Sequence, residues 1–114
     1  MSKKRVERSL AGAALLFAAL GDPTRLALLQ RLSDGGPTSI STLSETFRAM
    51  TRQGVRKPLH VLAAAGIIEG QRLGREHVWA LNTARLAEGR RCLEVIAGGW
   101  DQALARLQAH VEDT

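Results

Sequence analysis

The sequence predicts a mainly helical α+β fold with a single main domain, and three observations support this prediction. Apolar residues recur at helical spacing in several segments of the 114-residue chain. Helix start and stop signals, such as Asp22-Pro23 and Gly66, separate these segments. One short stretch around Gly74 has the pattern of two β-strands joined by a tight turn.

The N-terminal part is predicted to form a tail and a first helix. Residues 1–9 are rich in lysine and arginine, which predicts a flexible basic tail before a single domain over residues 10–114. The helical spacing of apolar residues begins at Leu10 and continues to Leu20. Gly21 is expected to end this helix.

A second helix is predicted to follow at once. Asp22 can cap free N–H groups, and Pro23 suits the first helical position. The helix is expected to end by Ser33, before a Gly-Gly-Pro break. Its buried stripe is assigned to Leu26 and Leu29, and Ala27 and Leu32 are further candidates.

Two further helices joined by a short turn are predicted next. Thr38–Ile40 forms either a short strand or an extended link, and Ser39 or Ser41 caps a short third helix. Residues 48–50 form a tight turn, and a fourth helix follows over 51–65, capped by its first residue. The apolar residues of the fourth helix share one face: Val55, Leu59 and Leu62.

The C-terminal part is predicted to contain a β-hairpin and a long helix. Residues 67–81 read as two strands around Gly74, which permits a tight turn. Asn82 or Thr83 caps a last helical region that reaches His110. The glycine pair at 98–99 is expected to bend or split this helix, since glycine weakens a helix interior.

This order of elements predicts a winged helix-turn-helix fold with a two-stranded β-hairpin wing and a long C-terminal helix. In that plan the second helix of the helix-turn-helix enters the major groove of DNA. Between Arg48 and Arg75 the only acid is Glu69, and the formal net charge of the chain is +5, which suits a phosphate backbone. The residues predicted to contact double-stranded DNA are Ser39, Ser41, Thr51, Arg52, Gln53, Arg56, Lys57, His60, Arg72 and Arg75.

Three segments resemble the ArsR-type family of bacterial regulators. Residues 16–25, LFAALGDPTR, are similar to the family's "ALGDPTRLAIL" opening. Residues 50–68, MTRQGVRKPLHVLAAAGII, resemble its recognition helix and the entry to its wing. Gly-Arg-Glu at 74–76, followed by Trp-Ala-Leu at 79–81, matches the end of the wing, and the resemblance spans about residues 10–114.

The resemblance implies a homodimer that is paired through the first and last helices. Such a dimer represses transcription at a palindromic operator and is released by an effector, which the sequence does not identify. We assign to the dimer interface the apolar residues of these two helices: Leu10, Ala14, Phe17, Leu93, Ile96, Trp100, Leu104 and Leu107.

We expect no metal, no cofactor and no enzymatic activity. Many ArsR relatives bind metals through paired cysteines in the third helix, but residues 41–47 here contain neither Cys nor His. The one cysteine, Cys92, and the three histidines are scattered. Neither a carboxylate pair, a Ser/His/Asp set nor a phosphate-binding loop is apparent. Since no stretch approaches the roughly 20 apolar residues of a membrane span, we expect a cytoplasmic protein without a membrane partner.

Pro58 departs from a regular recognition helix. Proline removes an N–H donor and crowds the carbonyl four residues back, here that of Gly54. We predict a kinked helix that still binds DNA. The alternative function is a winged-helix protein-interaction module that has lost DNA binding.

Overall fold

The computed structural model describes residues 3–47 and 52–113, except for the side chain of Arg52. Its strands form one antiparallel sheet in the order β1-β3-β2. The predicted order of elements is confirmed, and the short segment before the third helix is a strand. The elements are α1 (Lys3–Leu20), α2 (Pro23–Gly35), β1 (Thr38–Ser39), α3 (Ile40–Thr46), α4 (Arg52–Ala64), β2 (Ile68–Leu73), β3 (Glu76–Leu81) and α5 (Thr83–Glu112).

Helix α1 begins earlier than the sequence pattern predicted. It starts at Lys3 rather than at Leu10, so most of the predicted tail continues the helix. Lysine, arginine and glutamate are good helix formers, and they need no buried partner to extend a helix into solvent. Residues 3–11 are all exposed, which explains why their apolar periodicity gave no signal.

The corner between α1 and α2 is built by Asp22 and Arg25. The Asp22 carboxylate caps α2 by accepting a hydrogen bond from the Arg25 N–H at 3.0 Å, and Pro23 occupies the first turn, as predicted. The Arg25 guanidinium donates to the carbonyls of Ala19 and Ala18 in the last turn of α1, and the Ala18 carbonyl also accepts from the Gly21 N–H. One side chain thus fixes two helices at a bend of 94°.

The buried stripe of α2 differs in phase from the predicted one. Leu28, Leu29 and Leu32 are buried, whereas Leu26 is 51% exposed. The run Leu26-Ala-Leu-Leu29 places apolar side chains all around one turn, so periodicity alone does not fix which of them faces inward. The assignment of Leu26 to the core was therefore wrong.

Helix α4 is held by its apolar face and by a defined C-terminal cap. Val55, Leu59 and Leu62 are fully buried, as predicted. Gly66 has φ +76°, and the N–H groups of Gly66 and Ile67 donate to the carbonyls of Ala63 and Leu62, the pattern of a Schellman motif. The predicted helix end at Gly66 is confirmed.

Pro58 lies inside α4 with its side chain buried. The helix runs without interruption from Arg52 to Ala64, so proline does not break it. The kink itself stays a prediction. The turn over residues 48–50 and the cap at Thr51 fall outside the described residues.

Strands β2 and β3 form the wing. Leu73 pairs with Glu76 across a two-residue turn, and Gly74 has φ +62°. A positive φ at the first central residue alone is typical of a type II′ hairpin turn. Strand β1 extends the wing into a three-stranded sheet, because Thr38 and Ser39 pair with β3.

Helix α5 is a single helix capped by Asn82, whose side chain accepts a hydrogen bond from the Arg85 N–H. Of the two outcomes predicted for Gly98-Gly99, the split was wrong, because each glycine costs about 1 kcal/mol but keeps its N–H donor; the bend stays a prediction. The first part of α5 contacts α1, and Gly89 is buried there against Leu16. The rest projects outward, so the Cα radius of gyration is 19.1 Å, against about 13 Å for a compact chain of similar length.

One apolar core joins the helices to the sheet. The core contains buried residues from α1 through β3: Leu16, Ala19, Leu28, Leu29, Leu32, Leu43, Val55, Leu59, Leu62, Ile67, Ile68 and Trp79.

Among the described residues, no single helix has both the length and the apolar character of a membrane span. Helices α1 and α2 meet both criteria only when they are counted together across their bend.

Candidate nucleic-acid interface

The outer face of α4 carries hydrogen-bonding side chains. Because Val55, Leu59 and Leu62 face the core, the opposite side of the helix is turned to solvent. A shallow depression of about 540 Å³ runs along that side. Its lining consists of Gln53, Arg56, Lys57, His60, Val61 and Ala64.

This face has the donors that base edges and phosphates require. Gln53, Arg56, Lys57 and His60 are exposed, and the sequence of α4 contains no acidic residue. Glutamine can pair bidentately with adenine, and arginine or lysine with guanine. The face therefore combines side chains that are able to pair with bases and a single sign of charge.

The wing extends the cationic surface beyond α4. Arg72 lies at the end of β2 and Arg75 in the turn, and both are exposed. Two aromatic rings connect the wing to α4: the ring of His60 in α4 and the ring of Trp79 in β3 have their centroids 6.5 Å apart. Trp79 is buried in the core, so the position of the wing relative to α4 is fixed by packing.

The sequence reasoning missed His77, which completes this connection. Its ring stacks on Trp79 with a centroid distance of 4.6 Å and an interplanar angle of 19°. His77 and Trp79 are two positions apart in β3, and residues i and i+2 of a strand lie on the same face. This alternation was the signal from which the sequence could have predicted the stacking. Gly70 pairs with Trp79, and a Cβ there would lie in contact with the His77 ring.

The remaining predicted DNA contacts lie elsewhere. Ser39 is buried and caps α3: its Oγ accepts from the Thr42 N–H at 3.2 Å and donates to the Thr42 hydroxyl at 3.0 Å. The structure therefore places Ser39 in the helix cap and not on the outer surface. Ser41 is half-buried in the first turn of α3. Thr51 and the side chain of Arg52 lie outside the described part of the chain.

The residues predicted for the dimer interface form an exposed apolar surface on α1 and α5. Leu10 and the five large apolar residues of α5 in that set are between 41% and 66% exposed. Ala14 is also exposed, whereas Phe17 is half-buried against the core. We call the α5 part the α5 stripe; it comprises Leu93, Ile96, Trp100, Leu104 and Leu107.

Potential metal ligands do not come together in the described residues. Within 3–47 and 52–113, no group of three or more His, Cys, Asp or Glu side chains could hold a metal ion. Cys92 is half-buried in α5, far along the chain from His60 and His77.

Comparison with known proteins places these features in a common context. The sequence profile of a helix-turn-helix domain matches residues 20–71. The chain is 33% identical over 76 residues to the uncharacterized HTH-type transcriptional regulator YuzN of Bacillus subtilis, covering 62% of this chain and 83% of YuzN.

Solved structures show the same similarity. An ArsR-like transcriptional regulator from Rhodococcus sp. RHA1 superposes with a TM-score of 0.77 at 35% identity, covering 88% of this chain and 92% of that one. The homodimeric winged helix-turn-helix DNA-binding domain Mb0332 from Mycobacterium bovis superposes with a TM-score of 0.63 at 20% identity, covering 93% of both chains, which shows the shared fold.

Proposed function

Because this chain belongs to the ArsR family of winged helix-turn-helix transcriptional regulators, we propose that it acts as a homodimeric repressor at a palindromic operator. In this proposal α4 reads bases in the major groove, and the wing grips the adjacent backbone. Acting on chromosomal DNA places the protein in the cytoplasm, and the proposal assigns it no enzymatic reaction.

The outer face of α4 is the observation that carries the proposal. Gln53, Arg56, Lys57 and His60 are exposed together on a helix that has its opposite face in the core. A major groove is wide enough to admit one helix presented in this way. Arg72 and Arg75 are exposed on the wing, and in this proposal they contact a phosphate backbone or a minor groove.

The α5 stripe supports the homodimer. Its apolar residues recur at intervals of about 3.5 residues, which is the repeat of a helix that packs along a second helix. The protruding α5 leaves this surface uncovered in one protomer. A second protomer would bury it, and Leu10 and Ala14 of α1 would join the same interface. The solved homodimer with this fold is consistent with such pairing.

A two-fold dimer explains the palindromic operator. Two copies of α4 related by a two-fold axis meet two half-sites about 34 Å apart, one turn of the duplex. The operator must then share the symmetry of the protein. Binding at such a site upstream of a gene competes with transcription, which is the basis for proposing repression.

The proposal is tested by titrating DNA from the promoter region upstream of the protein's own gene with purified protein, using fluorescence anisotropy. We expect Arg56→Ala and Lys57→Ala each to weaken binding by about 1–3 kcal/mol per protomer, the value of one good base pairing. Arg106→Ala is the matched control, because it removes the same charge from the distal, exposed part of α5.

Three results decide the test. Weaker binding in both α4 variants with an unchanged Arg106→Ala supports the assignment. Equal affinities in all variants would remove α4 from the interface. An unchanged anisotropy when promoter DNA is titrated with the unmodified protein would favour the protein-interaction module over the regulator.

A further inference from the structure

A groove between α1 and α5 shares no residue with the proposed DNA and dimer surfaces. Its volume is about 490 Å³, which is large enough for a small organic molecule. One wall is formed by Arg8, Ser9, Gly12 and Ala13 of α1, and the other by Glu88, Arg91, Cys92 and Val95 of α5.

The groove opens on a different flank of α5 from the α5 stripe. With about 3.6 residues per turn, Arg91 and Val95 lie far around the helix from Ile96 and Trp100. Val95 is 75% exposed. Arg91 and Val95 therefore lie on a flank of α5 that the stripe does not occupy.

The charges of the groove favour an anion. Arg8 and Arg91 are exposed and form no ion pair with a described residue. The one acid, Glu88, is paired with Arg85 through an Nη1–Oε2 contact of 2.8 Å. The groove thus presents two uncompensated cations and a serine hydroxyl above an apolar floor, which matches a carboxylate or similar anion on a small apolar body.

Arg85 connects this groove to α4. Besides its contact with Glu88, its guanidinium donates from Nη2 to the Gly12 carbonyl at 2.7 Å and from Nε to the Ala65 carbonyl at 2.9 Å. Gly12 is part of the groove wall, and Ala65 directly follows α4. The side chain is largely buried, with 16% of its surface exposed, so it cannot move without changing all three contacts.

We propose that the groove between α1 and α5 binds a small organic anion, and that Arg85 transmits its binding to the end of α4. An anion between Arg8 and Arg91 attracts the guanidinium of Arg85 behind the Gly12 wall. This attraction weakens the hydrogen bond to Ala65 that anchors the end of α4. The second step rests on the proposed DNA binding, whereas anion binding does not.

Binding is tested on the protein without DNA, so that its outcome is independent of the proposed function. The probe is benzoate, and benzamide is its neutral counterpart. We expect benzoate to shift the backbone amide NMR signals of Gly12, Ala13 and Cys92 saturably, with a Kd of about 1 mM or tighter. Benzamide should leave these signals unchanged.

Charge variants test the site itself. Arg8→Gln combined with Arg91→Gln should weaken benzoate binding at least about tenfold. Arg90→Gln combined with Arg106→Gln removes the same two charges at exposed positions of α5 outside the groove, and should retain binding. Absence of saturable shifts in the groove, or equal weakening in this control, would overturn the anion site.

The connection to α4 has two readouts. In the protein without DNA, saturating benzoate should also shift the amides of Gly66 and Ile67, which cap α4. At matched ionic strength, benzoate should reduce DNA affinity at least about fivefold. Arg85→Lys keeps the charge but loses the planar fork, so it should bind benzoate without this effect. Benzoate binding that moves neither the cap signals nor the DNA affinity would refute the role of Arg85.

Discussion

Gly89 is the point where α5 packs closely on α1, and its replacement by alanine gives a stringent test of that contact. A Cβ at this position would lie 2.7 Å from Leu16 Cδ2 and 3.7 Å from Phe17 Cε1. Real Cβ atoms do not approach other atoms within 3.0 Å. Leu16 is only 1% exposed within the core, so its side chain has little room to turn away.

Gly98→Ala supplies the matched control. Nothing lies within 4 Å of a Cβ at Gly98, and this residue is on the face of α5 opposite the α5 stripe. Both substitutions gain the same helix propensity, about 1 kcal/mol. Overpacking of a core costs about 1–3 kcal/mol, so Gly89→Ala should be less stable than Gly98→Ala by that amount.

The difference is measured by urea and thermal unfolding at one fixed protein concentration, because dimerisation makes stability depend on concentration. A difference of 1 kcal/mol corresponds to about 4–8 °C in Tm for a domain of this size. Gly98→Ala should have a higher unfolding midpoint, in temperature and in urea, than the unmodified protein. Gly89→Ala should have a midpoint well below that of Gly98→Ala. Equal unfolding midpoints for the two variants would refute close packing of α5 on Leu16.

Three further predictions concern the wing, the dimer and the helix corner. Arg75→Gln should make the slope of log K against log salt less steep by about 1.8 in anisotropy titrations, since a dimer loses two phosphate contacts; an unchanged slope would exclude such contacts. Leu107→Glu should convert dimers to monomers in sedimentation, whereas Val95→Glu should not, and the same result for both would misplace the interface. Asp22→Ala should lower the unfolding free energy by about 1 kcal/mol through loss of the cap; Asp34→Ala, at the other end of α2, should not, and comparable losses would argue against capping.

Local signals account for the parts of the fold that the sequence predicted. Asp22-Pro23, Gly66 and Gly74 act on their own or adjacent residues, through a cap, a positive φ or a tight turn. The helix start at Lys3 and the phase of α2 were not predictable in this way. The early start of α1 depends on exposed residues that have no buried stripe. The phase of α2 depends on a run of apolar residues that fits more than one face of the helix.

The outer face of α4 followed from the stripe opposite it, so its exposed residues were predicted correctly. Contacts between distant residues gave no such signal. The hydrogen bond from Arg85 to Gly12 joins residues 73 positions apart, and no periodic pattern reports it. The stacking of His77 on Trp79 likewise depends on the space that Gly70 leaves across the hairpin.

The Asp22–Arg25 corner has a consequence for operator choice. In the proposed dimer, α1 belongs to the shared interface, while α2 leads into the helix-turn-helix. The angle between α1 and α2 therefore sets the distance from the symmetry axis of the dimer to each copy of α4. Arg25 donates across that angle to Ala19 and Ala18, so in the proposed dimer this corner helps to set how many base pairs separate the two halves of the binding sequence.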